Sequence, residues 1–239
     1  MALPTIRPLN LGTITRRKIT FGYFLEPAVI IDAPLIAYYI EAEGRKILVD
    51  TGGAHPSCFA NPHFQPFRQE PEQTLDNQLA KYGLAIDDID MVIATHLHWD
   101  HCAENHRFTK APVLVQEIEL EAARNPFPVQ HGYVKELIEN VNYSVISGDQ
   151  EVAPGVSVML APGHTYGMQA VLVEAEQDRY LIAGDTVGLF EALDRNPPLI
   201  SGIYVDMKLY YETMAKITSL SATILPGHDI KVFDKEIYR

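Results

Sequence analysis

Residues 95–101 read Thr-His-Leu-His-Trp-Asp-His, which places three imidazoles and one carboxylate within six positions. In an extended segment, side chains two positions apart point the same way, so His96 and His98 can hold one ion together. Asp100 and His101 then begin a turn and can face a second ion. Imidazole nitrogens and carboxylate oxygens are preferred zinc ligands, and this stretch therefore predicts a metal site.

Short apolar runs that stop at polar turns recur on both sides of this stretch. The runs comprise residues 46–50, 91–94, 156–160, 180–183 and 222–225. They contain β-branched residues and are bounded by Gly, Pro or His, a pattern typical of buried strands. Such strands can deliver their turns to one edge of a sheet system, where catalytic residues commonly lie.

Three of those turns carry further candidate ligands, namely His164, Asp185 and His228. One carboxylate can bridge two ions while each ion takes three more protein ligands. The ligands expected for one ion are His96, His98 and His164, and those expected for the other are Asp100, His101 and His228, with Asp185 between the ions. We expect Asp50 and Asp229 to orient imidazole N–H groups or to shape turns rather than to bind metal.

The remaining segments predict helices outside the sheets and a meander of strands at the start of the chain. Helices are predicted from Thr74 to Gly83, from Gln116 to Arg124, from Gly132 to Asn140 and from Asp206 to Ile217. Strands are predicted at residues 19–24, 29–31 and 35–41, and the Pro-rich residues 55–71 predict a long loop. Because no repeat or linker stands out, we expect residues 1–239 to form a single domain of mixed sheets and outer helices.

The composition excludes several classes of protein. Of the 239 residues, 47% are hydrophobic and 21% charged, which excludes disordered, collagen-like and coiled-coil chains. The formal net charge of −12 argues against nucleic acid or an anionic membrane as the main partner, because an acidic field repels phosphates. No apolar run approaches the roughly 18 residues of a membrane helix, no signal peptide is visible, and two cysteines form no disulfide framework. These features predict a cytoplasmic protein.

The motif series resembles that of the metallo-β-lactamase fold superfamily. The motifs are Asp50-Thr-Gly52, Thr95-His-Leu-His-Trp-Asp-His101, Pro162-Gly-His-Thr165, Gly184-Asp-Thr186 and Pro226-Gly-His-Asp229. Their order and separations match over residues 36–230. The resemblance implies an α/β fold, a four-layer αββα sandwich with two mixed β-sheets flanked by helices, and a metal site at one edge between the sheets.

Within that superfamily the chain is similar to N-acyl homoserine lactonases. Those enzymes usually carry a tyrosine, thought to hold the substrate carbonyl, three residues after the bridging Asp, whereas this chain has Gly188 there. Other side chains are therefore expected to line the pocket. The predicted pocket residues are Gly188 itself, Trp99, Phe64, Tyr166, Phe190 and Tyr204.

The expected function is that of a dinuclear zinc hydrolase that opens a lactone, or a related cyclic ester or amide, by attack of a metal-bridging hydroxide. Asp100 would pass a proton to the leaving alkoxide. Iron, manganese or cobalt could replace the two Zn²⁺ ions, since metal identity depends on supply as well as ligands. A small-molecule substrate is expected, and a homodimer that uses residues 55–71 is a hypothesis.

Other functions on the same fold remain open at this point. A thioester hydrolase of the glyoxalase II type would add a C-terminal helical region, which this chain does not show. An iron-dependent oxidoreductase such as a persulfide dioxygenase would use fewer ligands on a single ion. A non-catalytic zinc protein would usually have a closed, Cys-rich site.

Overall fold

The structure, a computed structural model, describes residues 3–54 and 66–239, in which twelve strands form two mixed β-sheets. The larger sheet has the order β4-β1-β2-β3-β5-β6-β7, with β1 (Thr5–Arg17), β2 (Ile30–Ala42), β3 (Arg45–Val49), β4 (Phe67–Arg68), β5 (Met91–Ile93), β6 (Val113–Gln116) and β7 (Tyr143–Ile146). The smaller sheet has the order β12-β11-β10-β9-β8, with β8 (Gln150–Ala153), β9 (Val156–Leu160), β10 (Gln169–Glu174), β11 (Arg179–Gly184) and β12 (Thr223–Pro226).

The described residues form six helices, most of which cover the outer faces of the two sheets. They are α1 (Leu75–Ala80), α2 (Trp99–Cys102), α3 (Glu117–Arg124), α4 (Lys135–Ile138), α5 (Phe190–Leu193) and α6 (Met207–Thr218). None of the helices in the described part of the chain has the length and apolar character needed to cross a membrane.

Three buried apolar clusters hold these layers together. The first joins the larger sheet to α1, α3 and α4, the second lies between the two sheets, and the third joins the smaller sheet to α6. In β2, Tyr38 packs into the cluster between the sheets, whereas its neighbours Ala37 and Tyr39 pack on the helix side. Because β2 is covered on both faces, its sequence is almost continuously apolar rather than alternating. The four-layer αββα sandwich that the resemblance implies is confirmed.

The strand and helix predictions are mostly confirmed. All five apolar runs form strands, β3, β5, β9, β11 and β12. Thr74 Oγ1 accepts a hydrogen bond from the Asn77 N–H at the start of α1, and Asp206 Oδ1 accepts one from the Leu209 N–H at the start of α6. Of the helix predicted from Gly132 to Asn140, only the single turn α4 is helical.

The start of the chain differs from the prediction. Residues 19–24 were expected to be a strand, but a 3₁₀ turn occupies Lys18–Thr20, and the Tyr23 N–H donates to the carbonyl of Ile200 in a distant loop, 2.7 Å away. The 13-residue strand β1 was missed because Pro8 and a bulge between Asn10 and Thr13 interrupt its pattern. Of the loop predicted over residues 55–71, residues 55–65 lie outside the described residues, and the rest includes β4.

Candidate metal centre

Seven His and Asp side chains converge at one edge of the sandwich because each follows the end of a strand. His96 and His98 follow β5, His98 caps the N-terminus of α2, and α2 contributes Asp100 and His101. His164, Asp185 and His228 follow β9, β11 and β12. Six of the seven are buried, and the Asp185 side chain is 13% exposed. The structure thus brings together all seven residues that the sequence suggests as ligands.

Six of the side chains form two groups of three, and Asp185 lies between the two groups. His98 Nδ1 lies 3.1 Å from both His96 Nε2 and His164 Nε2. The ligand atoms of Asp100, His101 and His228 form a second group within 4.8 Å of one another. Asp185 Oδ2 faces the first group, 3.2 Å from His164 Nε2. Its Oδ1 faces the second group, 3.1 Å from His101 Nε2 and 2.9 Å from His228 Nε2. One carboxylate therefore lies between two triads.

The donor set fits two metal ions. His101 Nε2, His228 Nε2 and Asp185 Oδ1 are buried and have no hydrogen-bond partner, because their close contacts are poorly aligned for a hydrogen bond. A buried polar atom without a partner costs about 1–3 kcal/mol. A cation that accepts all three lone pairs removes that cost, and His and Asp are ligands that zinc accepts in sites open to water.

Hydrogen bonds on the far side of the imidazoles leave the inward nitrogens free to coordinate. The Nδ1–H groups of His164 and His228 donate to the carbonyls of Ile203 and Pro34, each at 2.9 Å. His96 Nδ1 lies 3.1 Å from Thr95 Oγ1. Such outer contacts fix both the ring orientation and the tautomer.

Asp50 and Asp229 have different surroundings. Asp50 Oδ2 accepts from His101 Nδ1–H at 2.8 Å and from the Thr95 hydroxyl at 2.8 Å, with a backbone φ of 60° that non-glycine residues rarely adopt. Asp229 contacts no imidazole among the described residues and instead accepts from the backbone N–H groups of Phe190 and Lys231. Asp50 thus orients a ring, whereas Asp229 shapes a turn.

Burial and neighbouring charges set the protonation of the cluster. Burial, reinforced by neighbouring imidazoles, lowers the pKa of His98 to about 3 and holds the pKa of His96 well below its usual range. Burial raises the pKa of Asp185, but His228, His101 and His164 more than offset this and hold it well below its ordinary value. Neutral imidazoles and an ionised carboxylate are the forms that bind metal. His101 differs, because Asp185 and Asp50 outweigh its burial and raise its pKa well above the usual range, so this ring must lose a proton to bind an ion.

A cavity of about 390 Å³ opens onto the two triads. Trp99 and Tyr204, which the sequence suggests as pocket residues, line it. Residues that the sequence analysis missed also line it, among them Arg16, Phe21 and Val129. Their place in the cavity depends on how the start of the chain and residues 129–132 fold over the site, which no local pattern indicates.

Three other predicted pocket residues do not line the cavity, and a fourth is not described. Tyr166, Gly188 and Phe190 are not among the described residues that line the cavity, and Phe64 lies outside the described residues. Phe190 begins α5 and packs against the cluster between the sheets. A Cβ atom on Gly188 would lie 2.8 Å from the carbonyl oxygen of Phe21, so the backbone of that residue occupies the space beside it.

Glu119 is a buried carboxylate behind the metal cluster that the sequence analysis did not single out. It accepts hydrogen bonds from the Leu97 N–H at 2.9 Å, the Gly167 N–H at 3.1 Å and the Tyr133 hydroxyl at 3.0 Å. Leu97 lies between two cluster histidines, so Glu119 ties their loop to the loop that follows His164. Its signal in the sequence is a glutamate on the same face of α3 as the buried Leu120 and Ala123.

Comparisons with known proteins agree with this architecture. Residues 37–228 match the model of the metallo-beta-lactamase superfamily. An N-acyl homoserine lactonase of Bacillus sp. is 37% identical over 163 residues, which cover 64% of this chain and 63% of that relative's length. The chain thus aligns with slightly less than two thirds of the curated relatives it first matches.

Two further relatives align over more of the chain. The N-acyl homoserine lactonase AiiB of Agrobacterium fabrum is 29% identical over 230 residues, which cover 85% of this chain and 82% of that protein. A solved N-acyl homoserine lactone hydrolase with N-hexanoyl-L-homoserine bound at its catalytic metal centre is 28% identical, with a TM-score of 0.85 over 98% of this chain and 96% of the other. The family match, the αββα layers and the strand-end cluster lead to one conclusion: the chain belongs to the metallo-beta-lactamase superfamily.

Proposed function

We propose that this protein is a dinuclear metal hydrolase that opens the ring of a lactone of the N-acyl homoserine lactone type. The observation that carries the proposal is the pair of triads with Asp185 between them, one carboxylate oxygen facing each triad. Relatives aligned over most of the chain are N-acyl homoserine lactonases, and one of them was solved with N-hexanoyl-L-homoserine at its metal centre. The triads support a dinuclear hydrolase, and the relatives support the lactone as its substrate class.

Within this proposal, the seven side chains divide between two ions. One ion would be held by His96, His98 and His164, the other by Asp100, His101 and His228, and both by Asp185. When bound, two Zn²⁺ ions supply Lewis acidity that polarises an ester carbonyl and lowers the pKa of water. The His and Asp donors favour zinc, although iron, manganese and cobalt accept the same ligands.

The protein's own residues hold the substrate and move the proton. Water adds to the ring carbonyl, the ring C–O bond breaks, and the ring oxygen leaves as a hydroxyl group. Asp100 lines the cavity, and its carboxylate can accept the proton released by water and return it to the ring oxygen. Burial raises the pKa of Asp100, but the charges of His101 and Arg16 outweigh burial, so the net shift is downward and the carboxylate is ionised at neutral pH.

The size and lining of the cavity support a small molecule as the ligand. Its volume of about 390 Å³ lies within the range of small-molecule sites, and apolar side chains such as Phe21 and Val129 line it beside the polar cluster. A hydrocarbon acyl chain can lie against such a surface. A cytoplasmic location and a homodimer remain predictions of the sequence, which cell fractionation and light scattering would check.

The test is ring opening of N-hexanoyl homoserine lactone by the zinc-loaded protein, followed as proton release. We expect kcat/KM of about 10⁴ M⁻¹s⁻¹ or more, lost on chelation and regained with zinc. His98→Ala should abolish turnover, and His106→Ala is the matched control because His106 is an exposed histidine outside the cluster. No turnover by a protein that holds two metal ions would refute the substrate, and full activity of His98→Ala would refute the site.

A further inference from the structure

Arg16 is a charged residue at a core-facing position near the end of β1. In a strand, alternate side chains share a face, so Arg16 lies on the face of Ile14, which is fully buried. Its neighbours Thr15 and Arg17 lie on the opposite face, where Thr15 contacts Asp32 on β2. The guanidinium therefore points to the inside of the fold, at the place where the sheet opens onto the cavity.

The guanidinium reaches the cavity and has no ion-pair partner among the described residues. Arg16 lines the same cavity as Asp100, yet no carboxylate among the described residues lies within 4.0 Å of it, and no hydrogen bond to its side chain occurs there. By contrast, Arg107 is paired with Asp76 and Glu104. A half-buried guanidinium loses hydration, so a ligand group that accepts its N–H bonds gains affinity.

Gly188, which lies beside the segment that follows Arg16, offers no side chain for this purpose. Gly188 follows the metal-cluster residue Asp185, but a Cβ atom there would lie 2.8 Å from Phe21 O and 2.9 Å from Phe21 Cβ. The segment that contains Phe21 is anchored, because Thr20 O accepts hydrogen bonds from Ser201 Oγ at 2.7 Å and from the Gly202 N–H at 3.1 Å. There is thus no room for a side chain at position 188. The segment that fills this space begins just after Arg16, four residues before Thr20, and Arg16 supplies a hydrogen-bond donor instead.

We propose that Arg16 is a specificity-determining residue that donates hydrogen bonds to an amide carbonyl of the substrate outside the lactone ring. This inference rests on the proposed function and names its substrate class more closely: lactones whose side chain carries an amide, rather than simple alkyl lactones. The guanidinium suits the task because its planar set of N–H donors can hold one carbonyl oxygen through two bonds while remaining charged.

The test compares two ring-opened ligands that do not turn over, bound to the zinc-loaded protein and measured by calorimetry. N-hexanoyl-L-homoserine carries the amide, and 4-hydroxydecanoate carries the same carboxylate and hydroxyl groups on an alkyl chain without it. Arg16→Met should weaken binding of the first ligand about ten- to a hundredfold, as expected for a lost charged hydrogen bond, and of the second less than threefold. Arg17→Met is the matched control, because Arg17 is exposed, and it should change neither affinity.

The same variants are then assayed as lactonases on N-hexanoyl homoserine lactone and γ-decanolactone, with the melting temperature as a check on folding. A selective loss of kcat/KM on the amide-bearing lactone, with Arg16→Lys intermediate, supports the role of Arg16. Equal loss on both ligands would mean that Arg16 binds the carboxylate and would overturn the inference, as would no loss or no binding of either ligand by the wild type. If binding is selective but the wild type opens neither lactone, the Arg16 site stands and the proposed function fails.

Discussion

Replacing Gly132 with alanine should displace His98, a proposed metal ligand. A Cβ atom built on Gly132 would lie 2.3 Å from His98 Cδ2 and 2.7 Å from His98 Cγ and Nε2. The backbone at this point is tied down, because the carbonyl of Gly132 accepts from the Trp99 N–H at 2.9 Å and Tyr133 forms a β-bridge with His98. The added methyl group therefore presses on the imidazole ring.

The size of the displacement follows from these distances. An ordinary contact begins at 3.4 Å, so the ring or the backbone must move by about 1.1 Å. The His98 ring has little room, since His96, His164 and Tyr133 all have ring centroids within 4.9 Å of it. Metal–ligand distances tolerate only about 0.2 Å, and a 1 Å misplacement in an active site can cost about a hundredfold in rate.

The assay measures metal ions per chain by elemental analysis together with kcat on the lactone. We expect Gly132→Ala to lose one of two ions and about a hundredfold in kcat. Gly44→Ala is the control: its Cβ meets open space, but its φ of +79° strains the alanine, so it should lose about 1 kcal/mol of stability and no metal. Full metal content and full activity in Gly132→Ala would refute the account of how His98 is held.

Three further predictions concern the surroundings of the site and the surface. Glu119→Gln should lower the free energy of unfolding by about 1–3 kcal/mol in a urea titration, because the Leu97 and Gly167 N–H groups donate to different oxygens of Glu119, and the NH₂ group that replaces one of these oxygens accepts no hydrogen bond. Chelation should lower the melting temperature by roughly 10 °C, because it removes ions that bind only the folded chain. Asp76→Asn should lower the free energy of unfolding by at most about 1 kcal/mol at pH 7, because hydrogen bonds and an ion pair with Arg107 hold the pKa of Asp76 below 3.8. The difference between the two proteins should disappear as the pH falls from 3.8 through that lowered pKa, because Asp76 then becomes protonated.

Each of these predictions has an outcome that contradicts it. An unchanged unfolding free energy in Glu119→Gln would show that the two loops do not depend on this carboxylate. A melting temperature that chelation leaves unchanged would argue against metal bound by the folded chain. For Asp76, a difference between the two proteins that persists below the lowered pKa would show that the effect does not come from the charge.

The parts of the fold that sequence predicts well are those decided locally. The Thr74 and Asp206 caps lie within three residues of the N–H groups they bind, and apolar runs such as residues 156–160 mark strands by their own length and composition. The residues of the cluster follow from the same logic, because they lie just beyond strand ends or on the short helix that follows β5, and strand ends meet at one edge of the sandwich.

The parts that sequence predicts poorly depend on distant contacts. Phe21 lies in a segment with strand-like composition, but it leaves the sheet and packs against the His228 ring, 207 positions later, with a centroid distance of 4.9 Å. Arg16 would be assigned to the surface from its charge alone, and only the register of β1 turns it inward. Asp229 is a further example, because its carboxylate accepts hydrogen bonds from two backbone N–H groups and not from the imidazole of the preceding residue.

The most direct test of the central claim is anomalous diffraction at the zinc absorption edge from crystals of the zinc-loaded protein. We expect two anomalous peaks per chain, one bounded by His96, His98 and His164 and the other by Asp100, His101 and His228, with Asp185 between them. A single peak, or peaks away from these side chains, would contradict the dinuclear centre on which the proposed chemistry depends.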